Sequence, residues 1–232
     1  MTGLDPRIAS GTTRMLAALS DATDKGAGRL GWKAGFGAPA ALASLGTDRP
    51  LVGFLTEDRL LPDGASVDVS GWTKPVLEAE VAAHLAADLG PGATSAEALA
   101  AVGGWSVAIE LADVDRAPDD VEAIVAGNIF HRQVLLGPVV PARPDPLPFV
   151  LTRDGAEAAR TSRPEALTGE LGSVLASMAD TLAACGAGLR AGEVVITGSV
   201  VPPIQVENRC TWVVDAHGLG RVTVSLDRDG SG

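Results

Sequence analysis

The stretch Lys74-Pro75-Val76-Leu77-Glu78-Ala79-Glu80-Val81-Ala82 constrains this chain most, because its two glutamates sit two residues apart. On a strand, successive side chains alternate between faces, so Glu78 and Glu80 would point the same way. On a helix, residues two apart face nearly opposite sides and cannot share a ligand. The Ala-rich run over residues 81–89 has helical propensity. Yet Pro75 opens the segment, and its apolar residues make no clean helical stripe. The spacing predicts a strand with two carboxylates on one face.

A second acidic strand is expected over residues 104–113, where Val107 and Ile109 alternate with small residues and Glu110 lies near the end. Three carboxylates converging without compensating bases would repel, and one would take up a proton unless a cation held them. Carboxylate oxygens suit a hard ion such as Mg²⁺ or Mn²⁺, and no Cys/His cluster points to zinc. From spacing alone the alternative, three solvated acids on exposed faces, stays open, because acidic side chains are mostly surface groups.

A chain of 232 residues can bury a full core, as one domain or one domain with an extension. Its formal net charge of -11 offers no basic patch to neutralise phosphates, which argues against nucleic acid as a partner. No apolar run is long enough to span a bilayer, and no basic segment followed by an apolar one opens the chain. Cys185 and Cys210 make neither a disulfide framework nor a metal-like spacing. The expectation is a soluble cytoplasmic protein with no membrane partner.

Residues 6–22 read as a helix with Ile8, Met15, Leu16 and Leu19 on one stripe. Lys33 follows, between Gly31 and Gly35 and beside Trp32 and Phe36. An ordinary surface lysine is one reading. The other is a partly buried ammonium group that flanking glycines let a ligand approach. Further helices are expected over 38–45, over 95–102 with Ser95 as cap, over 118–126 with acids at its start, and over 165–184. Strands are expected over 52–56, 65–69, 149–152, 194–197, 211–214 and 221–224. His84 is expected as a core or supporting residue, and His217 in an exposed turn. Strands without regular βα alternation argue for an α+β fold with an antiparallel or mixed β-core.

Several blocks then fall into a known order. They are Gly31-Trp32-Lys33-Ala34-Gly35-Phe36, Gly53-Phe54-Leu55, Val76-Leu77-Glu78-Ala79-Glu80 and Ala108-Ile109-Glu110-Leu111-Ala112-Asp113. Ala126-Gly127-Asn128, Leu135-Leu136-Gly137 and the run from Gly188 to Ser199 continue the series. In this order the chain resembles the 2-keto-4-pentenoate hydratase family, part of the wider fumarylacetoacetate hydrolase superfamily. The likeness runs from Gly31 to the C-terminus, and the region before it is short for the family.

The resemblance implies an α+β fold, a mixed β-roll or sandwich of the fumarylacetoacetate hydrolase type with peripheral helices. Residues 1–30 would be an N-terminal helical segment and 31–232 a single catalytic β-roll domain. It implies Mg²⁺ (or Mn²⁺) held by Glu78, Glu80 and Glu110. Lys33 matches the family's active-site lysine, and Ser199 falls where a substrate contact is expected, with Asn128 and Arg132 as further contacts. The implied activity is that of a lyase of the hydratase type on a short 2-oxo or 2-hydroxydienoic acid, through an enolate stabilised by the metal. Decarboxylation of a 2-oxo diacid and C–C hydrolysis are alternatives within the superfamily, and a non-catalytic partner subunit that keeps the fold is an alternative of another class. A homo-oligomer is expected, since exposed β-edges need covering.

Two departures stand out. Leu51 replaces an expected active-site carboxylate, and Gly127-Asn128-Ile129-Phe130-His131 replaces a run of small and hydroxyl residues. His131, with Arg132, would then supply acid/base or carboxylate-binding capacity lost at Leu51; a histidine at the surface or a subunit contact is the alternative.

Overall fold

The computed structural model describes residues 3–228, so the outermost ends of the two expected segments lie outside the described residues. The chain opens with helix α1 (Pro6–Asp24), whose start is fixed by Pro6 and by Asp5 accepting the Arg7 N–H. Its stripe buries Ile8, Met15 and Leu19 in the same apolar cluster as the strands that follow. Next come β1 (Arg29–Gly35), α2 (Pro39–Leu45), β2 (Leu51–Thr56), β3 (Leu60–Leu61) and β4 (Ala65–Asp68). Then come the long β5 (Pro75–Leu85), α3 (Ser95–Ala100), β6 (Val102–Asp113), α4 (Val121–Ala126) and β7 (His131–Leu136). The remainder is β8 (Phe149–Arg153), β9 (Ala156–Thr161), α5 (Glu165–Thr168), α6 (Leu171–Ala184), β10 (Val194–Ser199), β11 (Ile204–Gln205), β12 (Cys210–Ala216) and β13 (Gly220–Asp227).

The acidic stretch is strand, as its spacing predicts, and its alanines extend β5 rather than start a helix. Three helices differ from expectation. Thr94, not Ser95, caps α3, because Glu97 three residues on completes a reciprocal capping box with it. Helix α4 starts only at Val121, with Asp120 accepting the Ala123 N–H. The helix expected over 165–184 is broken by Gly169 at φ +86° into α5 and α6. Strand β9 was not expected, since its residues are mostly exposed and show no apolar alternation.

The strands form two mixed sheets. The larger runs β2-β1-β10-β5-β6-β7-β3, with β11 also pairing on β5; the smaller runs β4-β13-β12-β8-β9. Pairs β1–β10, β3–β7 and β4–β13 are parallel and the rest antiparallel. The architecture is thus α+β with a mixed β-core. The large cluster fills the space between the sheets and the helices. A small one, Leu55, Ala82, Ala108, Val134, Val194 and Ile196, lies on one face of the larger sheet. Register puts Lys33, Glu78, Glu80 and Glu110 on that same face, since Lys33 pairs Ile196, and Ala82 and Ala108 sit two residues from Glu80 and Glu110. Among the described residues no helix is long and apolar enough to cross a membrane.

Candidate metal centre

Strands β5 and β6 run antiparallel with Glu78 directly opposite Glu110 and Glu80 opposite Ala108. This register brings three carboxylates together, each with an oxygen within 4.8 Å of the others. Glu80 and Glu110 are fully buried, while Glu78 is partly open to a cavity. Lys33 reaches in from β1, equally buried, and donates to Glu110 Oε1 and, at 3.2 Å, to the Ile129 carbonyl. Its stem lies against Gly53, where a Cβ would come within 2.9 Å of it and 2.7 Å of Asn128 Oδ1. The glycine makes room for the lysine.

Two β-bulges aim further groups at the acids. Between Ile196 and Ser199 the β10–β5 ladder slips, and Gly198, at φ +101°, turns its N–H onto Glu80 Oε2 at 2.6 Å. In the β6–β7 ladder Ala112 pairs with His131 where an unbroken register would bring Arg132. His131 Nδ1 therefore reaches Glu110 Oε1 at 2.8 Å, and Arg132 turns away to Asp115 and Asp113 at 3.1 and 3.5 Å.

The electrostatics are unbalanced. Three carboxylates against the single charge of Lys33 leave two negative charges uncompensated, the charge of one divalent cation. Burial, and then the charge of Glu110, push Glu78 up to about 7. Burial, with repulsion from both neighbours, pushes Glu80 well up as well. Burial also acts upward on Glu110, but the Lys33 charge and the His131 hydrogen bond outweigh it and hold the carboxyl down at about 2. Burial lowers His131, so its ring is neutral; an ionised Glu110 only accepts, so Nδ1–H donates. Glu80 Oε1 and Glu110 Oε2 are buried with no hydrogen-bond partner among the described residues. Orphaned buried carboxylate oxygens are costly unless a proton or a cation satisfies them. The donor set is all oxygen, which fits Mg²⁺ or Mn²⁺.

Asn128, Ile129 and Phe130 form one left-handed turn, at φ +56°, +50° and +61°. This is a strained conformation above all for β-branched Ile129. Asn128 holds the turn by clasping the Phe54 main chain from both sides, accepting its N–H at 2.7 Å and donating to its carbonyl at 3.0 Å. The turn delivers the Ile129 carbonyl to Lys33 and the Phe130 ring to the cavity wall.

That cavity, about 530 Å³, has Lys33, Glu78, Ser199 and Lys74 among its polar lining residues and Phe36, Phe130 and Pro203 among its apolar ones. Ser199 donates its hydroxyl to the Val201 carbonyl at 2.6 Å and keeps its lone pairs as acceptors. The structure thus brings Glu78, Glu80, Glu110, Lys33 and His131 into one contact network, with Ser199 on the cavity wall. Asn128, His131 and Arg132 do not line the cavity. His84 is bonded to Ser106, away from the acids, and His217 is exposed. Sequence reasoning missed the Gly198 N–H, the Ile129 carbonyl, and Lys74 at the cavity wall.

The family model described as fumarylacetoacetate (FAA) hydrolase C-terminal matches residues 36–226. A 2-keto-4-pentenoate hydratase of Burkholderia vietnamiensis is 31% identical over 204 residues, 85% of this chain and 78% of that one. A 4-oxalocrotonate decarboxylase of Pseudomonas putida is 29% identical over 201 residues, 84% of this chain and 76% of that one. The solved 4-oxalocrotonate decarboxylase of Pseudomonas putida G7, complexed with magnesium and adipate, superposes with a TM-score of 0.84 at 25% identity. That match covers 91% of this chain and 83% of that one.

Proposed function

The chain belongs to the fumarylacetoacetate hydrolase family, and from that premise we propose that it is a divalent-metal-dependent lyase of the hydratase type. Its substrate is a short 2-oxo or 2-hydroxydienoic acid. The observation that carries this reading is the convergence of Glu78, Glu80 and Glu110, with Glu78 lining the cavity and buried oxygens of Glu80 and Glu110 left unpartnered. A subunit without catalytic work would have no use for such acids, which destabilise the fold unless something satisfies them.

In this reading Glu78, Glu80 and Glu110 hold Mg²⁺ or Mn²⁺, with Glu80 Oε1 and Glu110 Oε2 as the free donors. When bound, the ion supplies a Lewis acid that draws electron density from a 2-oxo acid. Lys33, at the cavity floor, gives or takes the proton at Nζ, and its bonds to Glu110 and the Ile129 carbonyl fix where that atom sits. His131 acts through Glu110 rather than on substrate, holding the carboxylate by its Nδ1–H. Asn128 sets the turn that carries Ile129, Ser199 offers an acceptor on the wall, and Arg132 braces the rim through Asp113 and Asp115. Phe36, Phe130 and the prolines keep water away from the carbon chain.

A second reading, decarboxylation of a 2-oxo diacid, is favoured by Lys74, an exposed lysine on the cavity wall that forms no ion pair with the three acids. One assay separates the two. Incubation of the Mg²⁺-loaded protein with 2-hydroxypenta-2,4-dienoate is expected to remove the dienol absorbance. Release of CO₂ from an unsaturated 2-oxo diacid, with no loss of the dienoate, would replace hydration by decarboxylation.

A further inference from the structure

Of the four phenylalanines in the chain, Phe36 and Phe130 line the cavity. Both hold a left-handed backbone, Phe36 at φ +57° just beyond β1 and Phe130 at φ +61° just before β7. At a bulky residue that conformation is strained, and it persists only where the surroundings impose it. The two rings meet, with centroids 6.4 Å apart and planes tilted by 50°, the spacing of an aromatic pair. Gly35 permits the meeting. A Cβ there would come within 2.8 Å of Ile129 Cγ2, so glycine lets the turn at 128–130 close against the end of β1. Phe130 is buried, which holds its ring in place. The same two segments fix the lysine: Lys33 lies three residues before Phe36, and the Ile129 carbonyl that accepts from it lies one residue before Phe130. The aromatic wall is therefore tied to the proton-transferring group. Phe130 also stands in the segment where this chain departs from its family, so the ring is a feature of this chain. An aliphatic wall would take a saturated carbon chain and a flat one alike, because hydrophobic attraction has no direction. Aromatic rings add a preference for a second π system, stacked or edge-on.

We propose that Phe36 and Phe130 are the residues that read the shape of the substrate's carbon chain. Their paired rings select 2-oxo acids whose chain is flat and conjugated beyond the 2-oxo group, ahead of saturated acids of the same size and charge. The rings touch the chain and not the reacting atoms, so they set specificity and take no part in the proton transfer. The inference rests on the metal-dependent reading of the site and assigns the residues that recognise the tail, without deciding which bond reacts.

The test titrates phenylglyoxylate and cyclohexylglyoxylate calorimetrically into the Mg²⁺-loaded protein, with pyruvate run alongside. The first two share the 2-oxo acid head and the number of carbons, and differ in that one ring is flat and the other puckered. Phenylglyoxylate is expected to bind about fivefold tighter, the size of one aromatic contact beyond area burial. The ratio is expected to collapse in Phe130→Leu and in Phe36→Leu, which keep an apolar wall, and to survive in Phe130→Tyr, which keeps the ring. Because each variant is read as a ratio within one protein, a general loss of fold does not imitate the result. Equal binding of the two ring-bearing probes, or a preference that persists in both leucine variants, overturns this inference alone. So does Mg²⁺-dependent binding of pyruvate with neither ring-bearing probe taken up. Failure of all three to bind in a Mg²⁺-dependent way overturns the metal reading and this inference with it.

Discussion

Glu110 carries more of the site than any other residue. Its Oε1 accepts from both Lys33 and His131, which leaves Oε2 as the oxygen free for a cation. Removing a donor to a buried carboxylate costs about 2–3 kcal/mol, because the charge then lacks its hydrogen bond. His131→Ala is therefore expected to lower unfolding free energy by about that much in urea titration. His131→Asn, whose amide can donate in place of Nδ1, is expected to restore part of the stability and the turnover. An Asn variant as stable as wild type but without activity would instead make the imidazole a proton carrier. The shared face of Glu78 and Glu80 was legible from their local spacing, whereas the metal reading of the three acids and the role of Lys33 came through the family resemblance. The Gly198 N–H and the Ile129 carbonyl were not legible, since every residue owns such groups and only backbone conformation aims them. The contact between His131 and Glu110 depends on a one-residue slip of register that no side chain announces.

At the scale of elements, the two bulges matter more than strand length. The slip at Thr197–Gly198 is possible because Gly198 adopts φ +101°, which an L side chain rarely tolerates. A Cβ there would also come within 3.3 Å of the Thr168 methyl group. Gly198→Val is expected to lower the urea midpoint by the equivalent of about 1–3 kcal/mol with the slope unchanged. It should also weaken metal binding, because Glu80 loses its backbone donor. An unchanged metal affinity in the folded variant would separate the bulge from the site. The helix break at Gly169 and the Thr94 capping box had signals in the sequence, a glycine inside an apolar period and a threonine three residues before Glu97. Strand β9 had none, being polar and exposed along most of its length.

For the molecule as a whole, local patterning reached the α+β class, the β-roll or sandwich arrangement came through the family resemblance, and the division of strands between two sheets was not read at all. Sheet order joins residues far apart in the chain, such as Lys33 and Ile196, and short-range spacing carries no record of it. What the fold achieves is a buried site with excess negative charge, and pH dependence follows from that. Glu78 sits at about 7, above its ordinary 4.5, so its contribution to metal-free stability is complete below 4.5 and lost as pH rises through about 7. Glu110, held at about 2, works the other way: its contribution is present above 4.5 and lost as pH falls through about 2. A bound cation takes the place of the proton on Glu78, so binding tightens as pH rises. Titrating Mn²⁺ into metal-free protein, followed calorimetrically, tests this most directly. The account predicts one ion per chain at pH 7.5, binding weaker by about 25-fold or more at pH 5.5, and no binding in Glu80→Gln. A protein that takes up no ion, or binds it equally well after Glu80→Gln, would contradict it.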